Sequence, residues 1–321
     1  MSVSFAGSPD RIEARLVPEA GFELDTFRIS GLPRKPGTAQ LRALMLAGRA
    51  PRACANILEV RRPDVVYGGG GYVAGPMVYA AWRKWIPAAL AEADAHLGLA
   101  NRLAAPFARK VFLAYRDPSR DGVKYRVVGR PVPEREPVSR EAARRAFDLP
   151  VEGRLLLVFG GSQGAAALNE IALAGFGAEG PAVLHLCGER YLAELEGRVS
   201  RADYRLLAWT DDFGAALGAA DLVLARAGGS VWEVAAAGKP TVLVPSPNVT
   251  ADHQTKNARH FERAGSAVVV PEPEIARVPE VVRGLLGDEA RLAEMTERMR
   301  RAAKPNAADE IAKELVTLAS A

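Results

Sequence analysis

The sequence has almost no cysteine: two residues in 321, Cys54 and Cys187, set far apart. That pair offers neither a disulfide framework nor a zinc-ligand cluster, and it places the chain in a reducing cytoplasm. Long apolar runs are missing too. No stretch reaches the roughly 20 apolar residues that cross a bilayer, and the opening MSVSFAGSPD has neither a basic n-region nor an apolar h-region. The expectation is a protein that is neither secreted nor membrane-spanning. Basic motifs interleaved with aromatics are absent, which argues against nucleic acid as a partner. Short-period repeats and low-complexity tracts are absent as well.

What is present is an ordinary globular composition, 49% hydrophobic and 25% charged, long enough for two α/β-sized domains with separate cores. Short apolar runs rich in β-branched residues alternate with longer helical stretches, which argues for βα units and parallel sheets. Strands are expected near Val3 to Ala6, Val65 to Tyr67, Val111 to Ala114, Leu155 to Phe159, Ala182 to Leu186, Leu222 to Ala225, Thr241 to Val244 and Ala267 to Val270, with a further strand ending at Ala208-Trp209. The segment Gly129 to Pro137 is proline-rich, charged and without helical period, so it reads as an interdomain linker. The first domain then covers 1–132 and the second 139–305, starting near Ser139. After Lys304-Pro305-Asn306 a last amphipathic helix, Ala308 to Leu318, is expected to carry residues 306–321 back onto the first domain.

The net charge is only +4, yet basic residues are unevenly placed. Arg28, Arg34, Lys35, Arg42, Arg49, Arg52, Arg61 and Arg62 fall in a stretch whose only acid is Glu59. Such a patch suits an anionic membrane surface or a phosphate-bearing partner, and equally a solvated helix face. Leu41, Leu44 and Met45 in one helical stripe, and Trp82-Arg83-Lys84-Trp85, add apolar and aromatic groups of the kind that settle at a membrane interface.

Three turns carry the candidate chemistry. The strand Leu155 to Phe159 runs into Gly160-Gly161-Ser162-Gln163-Gly164 and then a helical stretch, AAALNEIAL. A glycine turn feeding a helix N-terminus presents backbone N–H groups to a phosphate, and the same letters also suit a structural turn that needs positive φ. The strand Leu222 to Ala225 leads to Arg226-Ala227-Gly228-Gly229-Ser230-Val231-Trp232-Glu233. Here Glu233 lies in the first helical turn, placed either to accept ribose hydroxyls or to complement the helix dipole. After the next strand come Pro245-Ser246-Pro247 and Asp252-His253-Gln254, with Asn257 one turn on. Gln254 and Asn257 share a helix side, where amides read sugar hydroxyls. His253 reads as a capping or packing residue.

GGSQG, RAGGSVWE ahead of AAAGKPTVLVP, and DHQTKNA occur in the order and spacing of the MurG family, and IEARLVPEAGFELDTFRISGLPRK, PDVVYGGGGYVAGP and LGLANR resemble its N-terminal half. The resemblance covers nearly the whole chain. It implies a GT-B glycosyltransferase, two Rossmann-like domains facing each other across a cleft, with UDP-N-acetylglucosamine held by the second domain and undecaprenyl-linked lipid I by the first. It further implies inverting transfer to the lipid I 4-hydroxyl to give lipid II, without metal or cofactor, at the cytoplasmic face of the membrane as a peripheral protein. No Asp-x-Asp motif is present, in keeping with a metal-independent reaction. In that scheme Gly161, Ser162, Gln163 and Gly164 hold the diphosphate or the sugar. Gly228, Gly229 and Ser230 offer N–H groups to departing UDP. Glu233 binds the ribose, Gln254 with Asn257 reads the sugar, and Thr210 lies where the family packs a residue against uracil.

The sequence also departs from the family. The family opens with a strand and a GGTGGH-type loop, whereas this chain begins at what would be the second strand, so the first domain is expected to be incomplete, with a gap in its sheet. Turnover is expected to be poor without that loop, while donor binding survives. The family's HEQN reads Ala91-Glu92-Ala93-Asp94, its asparagine and arginine positions read Asp94 and Pro133, and the RAGGSVWE turn is one residue short. A general base must reach the acceptor hydroxyl, and the candidates are Glu92, Asp94 and His96, histidine being the side chain that ordinarily titrates near neutrality. Other readings are a UDP-sugar transferase acting on a different lipid, a UDP-N-acetylglucosamine 2-epimerase, and a donor-binding remnant without catalysis.

Overall fold

The computed structural model describes residues 2–31, 37–120 and 122–320; Arg34 and Lys35 of the basic stretch lie outside them. The chain divides into unit 1, Met1–Val128 with Asp309–Ala321, and unit 2, Gly129–Ala308. Unit 1 runs β1 (Ser4–Gly7), α1 (Glu13–Glu19), β2 (Glu23–Thr26), α2 (Thr38–Arg61), β3 (Val66–Gly68), α3 (Gly71–Arg83), β4 (Ala88–Glu92), α4 (Leu99–Ala104), β5 (Lys110–Leu113) and β6 (Tyr125–Val127). Unit 2 follows with α5 (Arg140–Ala146), β7 (Leu155–Phe159), α6 (Ala166–Phe176), β8 (Ala182–Leu186), α7 (Glu189–Leu195), β9 (Tyr204–Leu207), α8 (Phe213–Ala219), β10 (Leu222–Ala225), α9 (Val231–Ala236), β11 (Thr241–Leu243), α10 (His253–Arg263), β12 (Ala267–Val269), α11 (Val278–Gly287) and α12 (Glu289–Ala302). The last helix, α13 (Ala307–Ala319), closes the chain.

Unit 2 holds a six-stranded sheet, ordered β12-β11-β10-β7-β8-β9, with every neighbouring pair parallel. Its central strands are buried along their whole length, LLLVF in β7, AVLHL in β8 and LVLA in β10. Continuous apolar runs of this kind belong to strands covered on both faces. On one face Leu156, Val158, Leu222 and Leu224 pack against Leu168, Ala172 and Phe176 of α6 and Val278, Val282 and Leu285 of α11. The strand order reverses between β7 and β10, where Phe159 and Ala225 end in register.

Unit 1 has two sheets among the described residues, a parallel pair β1-β2 and a parallel four-stranded sheet β3-β4-β5-β6. β1 and β3 do not pair. A cavity of about 400 Å³ separates them, lined by Phe5, Ala6 and Gly7 on one side, Val66 and Tyr67 on the other, and Leu58 of α2 beneath. The gap expected in the first sheet is thus present.

Three strands escape the sequence pattern: β2, β4 and β6. β4 is AALAE, whose alanines favour helix. Burial overrides that preference, because alternation places Ala88 and Leu90 in the core with Val78 and Ala74 of α3, while Ala89 faces Phe112 and the α13 residues Ile311, Leu315 and Leu318. Small side chains on both faces let helices approach this strand closely. α13 is further held by Glu314, which pairs with Arg126 at 2.7 Å and Lys110 at 3.6 Å.

Both cysteines are buried and free. Among the described residues no helix is long and apolar enough to cross a membrane. One polar network sits inside unit 2. His185 on β8 contacts Tyr204 Oη at 2.9 Å through Nδ1 and Asn169 Oδ1 at 3.0 Å through Nε2, and Asn169 Nδ2 donates to the Cys187 carbonyl at 3.0 Å. Because Asn169 Oδ1 only accepts, Nε2 carries the proton and Nδ1 accepts from the tyrosine. Burial pushes the His185 pKa down to about 4. The unfolded chain therefore binds a proton that the folded chain refuses between that value and the usual 6.5, so stability rises with pH across this window and is complete above it. We expect His185 to account for roughly 3 kcal/mol of lost stability between pH 7 and pH 4. Urea unfolding across that range checks this: the pH slope should flatten in His185→Gln, and an unchanged slope refutes the assignment.

Candidate active site

Two glycine turns leave the carboxyl ends of adjacent strands at the point where the strand order reverses, the position where open α/β sheets bind ligands. The first is Gly160–Gly164, after β7. Gly164 has φ +68, and a Cβ there would lie 1.9 Å from the Cys187 carbonyl oxygen, so the turn presses directly on the end of β8. Gly161 has φ +90 but open space around it, and Ser162 and Gln163 are exposed at the tip. α6 begins just behind with no side-chain cap, which leaves its first N–H groups facing out beside the turn.

The second turn, Ala227–Ser230, follows β10. The N–H groups of Gly228, Gly229 and Ser230 take no partner among the described residues, whereas those of Val231, Trp232 and Glu233 bond back to the turn. α9 is only six residues long, so these free amides matter more than any extended dipole. Arg226 at the turn's start donates to the Val244 carbonyl at 3.0 Å, which fastens the ends of β10 and β11 together, and pairs with Glu272 beyond β12.

Helix α10 buttresses this turn. Asn257 was expected among the sugar-reading amides, but it has no exposed surface and its Nδ2 donates to the Ala227 carbonyl at 3.1 Å. It braces the glycine turn instead of meeting a ligand. Gln254 accepts from the Ser246 N–H at 2.9 Å through Oε1. Its NH₂ keeps no partner among the described residues, which suits donation to a hydroxyl. Thr210 lies beyond β9, which ends at Leu207 rather than Trp209; its Oγ1 accepts from the Asp212 N–H at 3.1 Å.

Two further residues were hidden in the segment read as a linker. Residues from Gly129 onward belong to unit 2. Arg135 pairs with Glu233 Oε2 at 3.1 Å, and the Arg130 guanidinium lies over Gly229. Spacing gives no sign of this, since the segment has no periodicity. In unit 1, by contrast, the sequence did carry a signal: β3 runs through Gly68–Gly71 into the 13-residue helix α3, the same strand-glycine-helix pattern as in unit 2.

The unit 1 loop after β4 holds the three candidate bases. Glu92 is held by hydrogen bonds within that loop. Its Oε1 accepts from the Asp94 N–H at 3.2 Å and its Oε2 from the Gly98 N–H and Asn101 Nδ2, both at 2.9 Å, so the carboxylate closes the loop. Asp94 and His96 are half-buried in the loop it shapes. Among the described residues no cluster of His, Cys, Asp and Glu is arranged to hold a metal ion.

Residues 1–113 match the glycosyltransferase family 28 N-terminal domain and residues 155–313 the C-terminal domain of the same family. The chain is 40% identical to the UDP-N-acetylglucosamine–N-acetylmuramyl-(pentapeptide) pyrophosphoryl-undecaprenol N-acetylglucosamine transferase of Salinibacter ruber, over 99% of this chain and 88% of that protein. The crystal structure of MurG from Acinetobacter baumannii superposes with a TM-score of 0.79 at 28% identity, covering 98% of this chain and 91% of that one. The chain belongs to the MurG family. The fold of this MurG-family chain is accordingly the GT-B class, two Rossmann-like α/β units. A UDP-N-acetylglucosamine 2-epimerase from Neisseria meningitidis shares the fold alone, with a TM-score of 0.62 at 14% identity.

The two turn glycines of this MurG-family chain separate packing from conformation. Gly164→Ala forces a methyl group into the Cys187 carbonyl and should cost roughly 3 kcal/mol or more, whereas Gly161→Ala pays only the left-handed backbone penalty of roughly 1–2 kcal/mol. Thermal or urea unfolding of the two variants measures the gap. Equal losses would show that the turn does not bear on β8.

Proposed function

We propose that this chain transfers N-acetylglucosamine from UDP-N-acetylglucosamine to the 4-hydroxyl of lipid I, forming lipid II in peptidoglycan synthesis. The observation that carries this reading is the pair of glycine turns at the strand-order reversal, with Glu233 and Gln254 beside them, in a chain so similar throughout to transferases named for that reaction. Unit 2 holds the donor. The free amides of Gly228, Gly229 and Ser230, with Ser162 and the start of α6, face the diphosphate and stabilise charge on the departing UDP. Glu233 binds ribose through the oxygen that Arg135 leaves open, Gln254 donates to the sugar, and Thr210 borders the base.

Unit 1 takes the acceptor. The turn at Gly69–Gly71, at the head of α3, offers the phosphate-facing amides there, and the proton of the acceptor hydroxyl passes to Asp94 or His96. Incubation with lipid I and labelled UDP-N-acetylglucosamine should yield lipid II. UDP binding without any transfer would favour the donor-binding, non-catalytic reading instead. In the same preparation Glu233→Ala should weaken UDP binding by roughly 1.5–3 kcal/mol, since a charge-assisted hydrogen bond is lost; equal affinities by calorimetry would count against the ribose role.

The acceptor is a lipid, and unit 1 carries the surface to meet it at the cytoplasmic face of the membrane. Leu41, Leu44 and Met45 stand exposed near the start of α2 beside Arg42, Arg49 and Arg52. Trp85, 91% exposed, projects beyond α3, whereas Trp82 is half covered by Tyr79 and Phe107. The Lys84–Glu59 pair at 2.5 Å ties the end of α3 to the end of α2, so the tryptophan and the leucines mark two places along one helix pair. Cosedimentation with anionic vesicles should be salt-sensitive and weaken several-fold in Trp85→Ala or Leu44→Glu. Failure of the parent protein to bind vesicles would show that this surface does not meet a membrane.

A further inference from the structure

The segment Gly129–Glu136 belongs to unit 2 and lies across the second glycine turn. Its course is set at Gly129, which has φ +84 and packs so tightly that a Cβ would lie 2.3 Å from Lys304 Cβ and 3.4 Å from the Trp232 ring. Arg130 follows immediately. A Cβ at Gly229 would lie 1.7 Å from Arg130 Nη1 and 2.3 Å from its Cζ, so the guanidinium occupies the volume that any other residue at 229 would fill. The carboxylate beside this turn, Glu233, is already paired with Arg135 at 3.1 Å. Arg130 itself has neither a hydrogen bond nor an ion pair among the described residues, although it is half-buried. An uncommitted guanidinium is thus held against a turn whose three N–H groups, at Gly228, Gly229 and Ser230, are also uncommitted. Donors gathered at one turn with no acceptor bonded to them among the described residues describe a site for an anion with several oxygens.

We propose that Arg130 binds the diphosphate of the donor nucleotide, and that Gly229 is glycine to make room for it. The proposal rests on the reading of unit 2 as the donor-holding unit. Arginine suits the task because its planar fork meets two phosphate oxygens at once and stays charged at every working pH. In the transfer reaction the bond between the anomeric carbon and the diphosphate oxygen breaks, its electron pair remains on that oxygen, and the charge gathered on UDP falls beside Arg130. Arg135 has a different part. It orients Glu233, with which it pairs at 3.1 Å.

The test compares uridine and UDP as ligands by calorimetry. Arg130→Gln should lower UDP affinity by roughly 10- to 100-fold while leaving uridine affinity unchanged, because uridine carries no phosphate. Arg130→Lys should recover part of the loss. Gly229→Ala, which keeps the charge but displaces the guanidinium, should weaken UDP selectively in the parent and cause little further loss when combined with Arg130→Gln. Unchanged UDP affinity in Arg130→Gln overturns the proposal, and so does an equal loss for uridine and UDP, which marks a structural role. Failure of the parent protein to bind UDP at all would instead strike down the donor reading of unit 2 beneath it.

Discussion

Parallel pairing of β7 with β10 governs the second unit. The two strands are distant in sequence but lie side by side and end level, Phe159 opposite Ala225. α6 folds back into the cluster covered by α11, and the buried residues of α9 do not join that cluster. Chains that part on leaving two neighbouring strands must open a crevice between their turns. The features of the proposed donor site follow from that parting: the glycines that permit the turns, the amides left without partners among the described residues and the arginines lying beside them.

The glycine turns of unit 2 were legible in the sequence because each joins a purely apolar strand to a helix, and apolar strands covered on both faces are hard to mistake. The strand pattern failed where apolarity and β-propensity part company. In β4, alanine conceals a strand that two layers of helix bury, and β2 (ELDT) and β6 (YRV) are too short and polar to show an alternation. The site was less legible than the fold. Gln254 and Asn257 look equivalent on a helical wheel, yet one meets the surface and the other is sealed beneath the turn, a difference set by the depth of α10 rather than by spacing. Arg130 and Arg135 were invisible, since what places them is a left-handed glycine and a neighbouring helix, neither of which leaves a periodic trace. Pro133, where the family resemblance implies an arginine, lies between these two arginines.

A shared device holds the loops at the strand ends. Asn101 Nδ2 donates to the Ala91 carbonyl at 3.0 Å, Asn169 Nδ2 to that of Cys187 at 3.0 Å and Asn257 Nδ2 to that of Ala227 at 3.1 Å, while Gln254 accepts from the Ser246 N–H at 2.9 Å. Each amide stands on a helix and reaches a backbone group just past, or at the end of, a strand. A buried loop carbonyl without a partner costs about 1–3 kcal/mol, so these side chains make irregular backbone tolerable where it must pass close to the sheet. They also fix the turns without using carboxylates or cations, which remain available for ligand. Glu92 and the Arg226–Glu272 pair do the same work with charged groups.

The cavity between β1 and β3 has a consequence for how the protein comes apart. Each of these strands shows a row of backbone N–H and C=O groups that no neighbouring strand covers among the described residues. In the second unit, four of six strands are laddered on both sides, so opening any of them breaks two ladders at once. Releasing β1 and β2 from the first unit breaks no ladder of its four-stranded sheet. Cooperative units follow such boundaries: the N-terminal pair can loosen while β3 to β6 stay clamped under α13, and amide exchange in this molecule becomes a map of interrupted pairing rather than of depth below the surface.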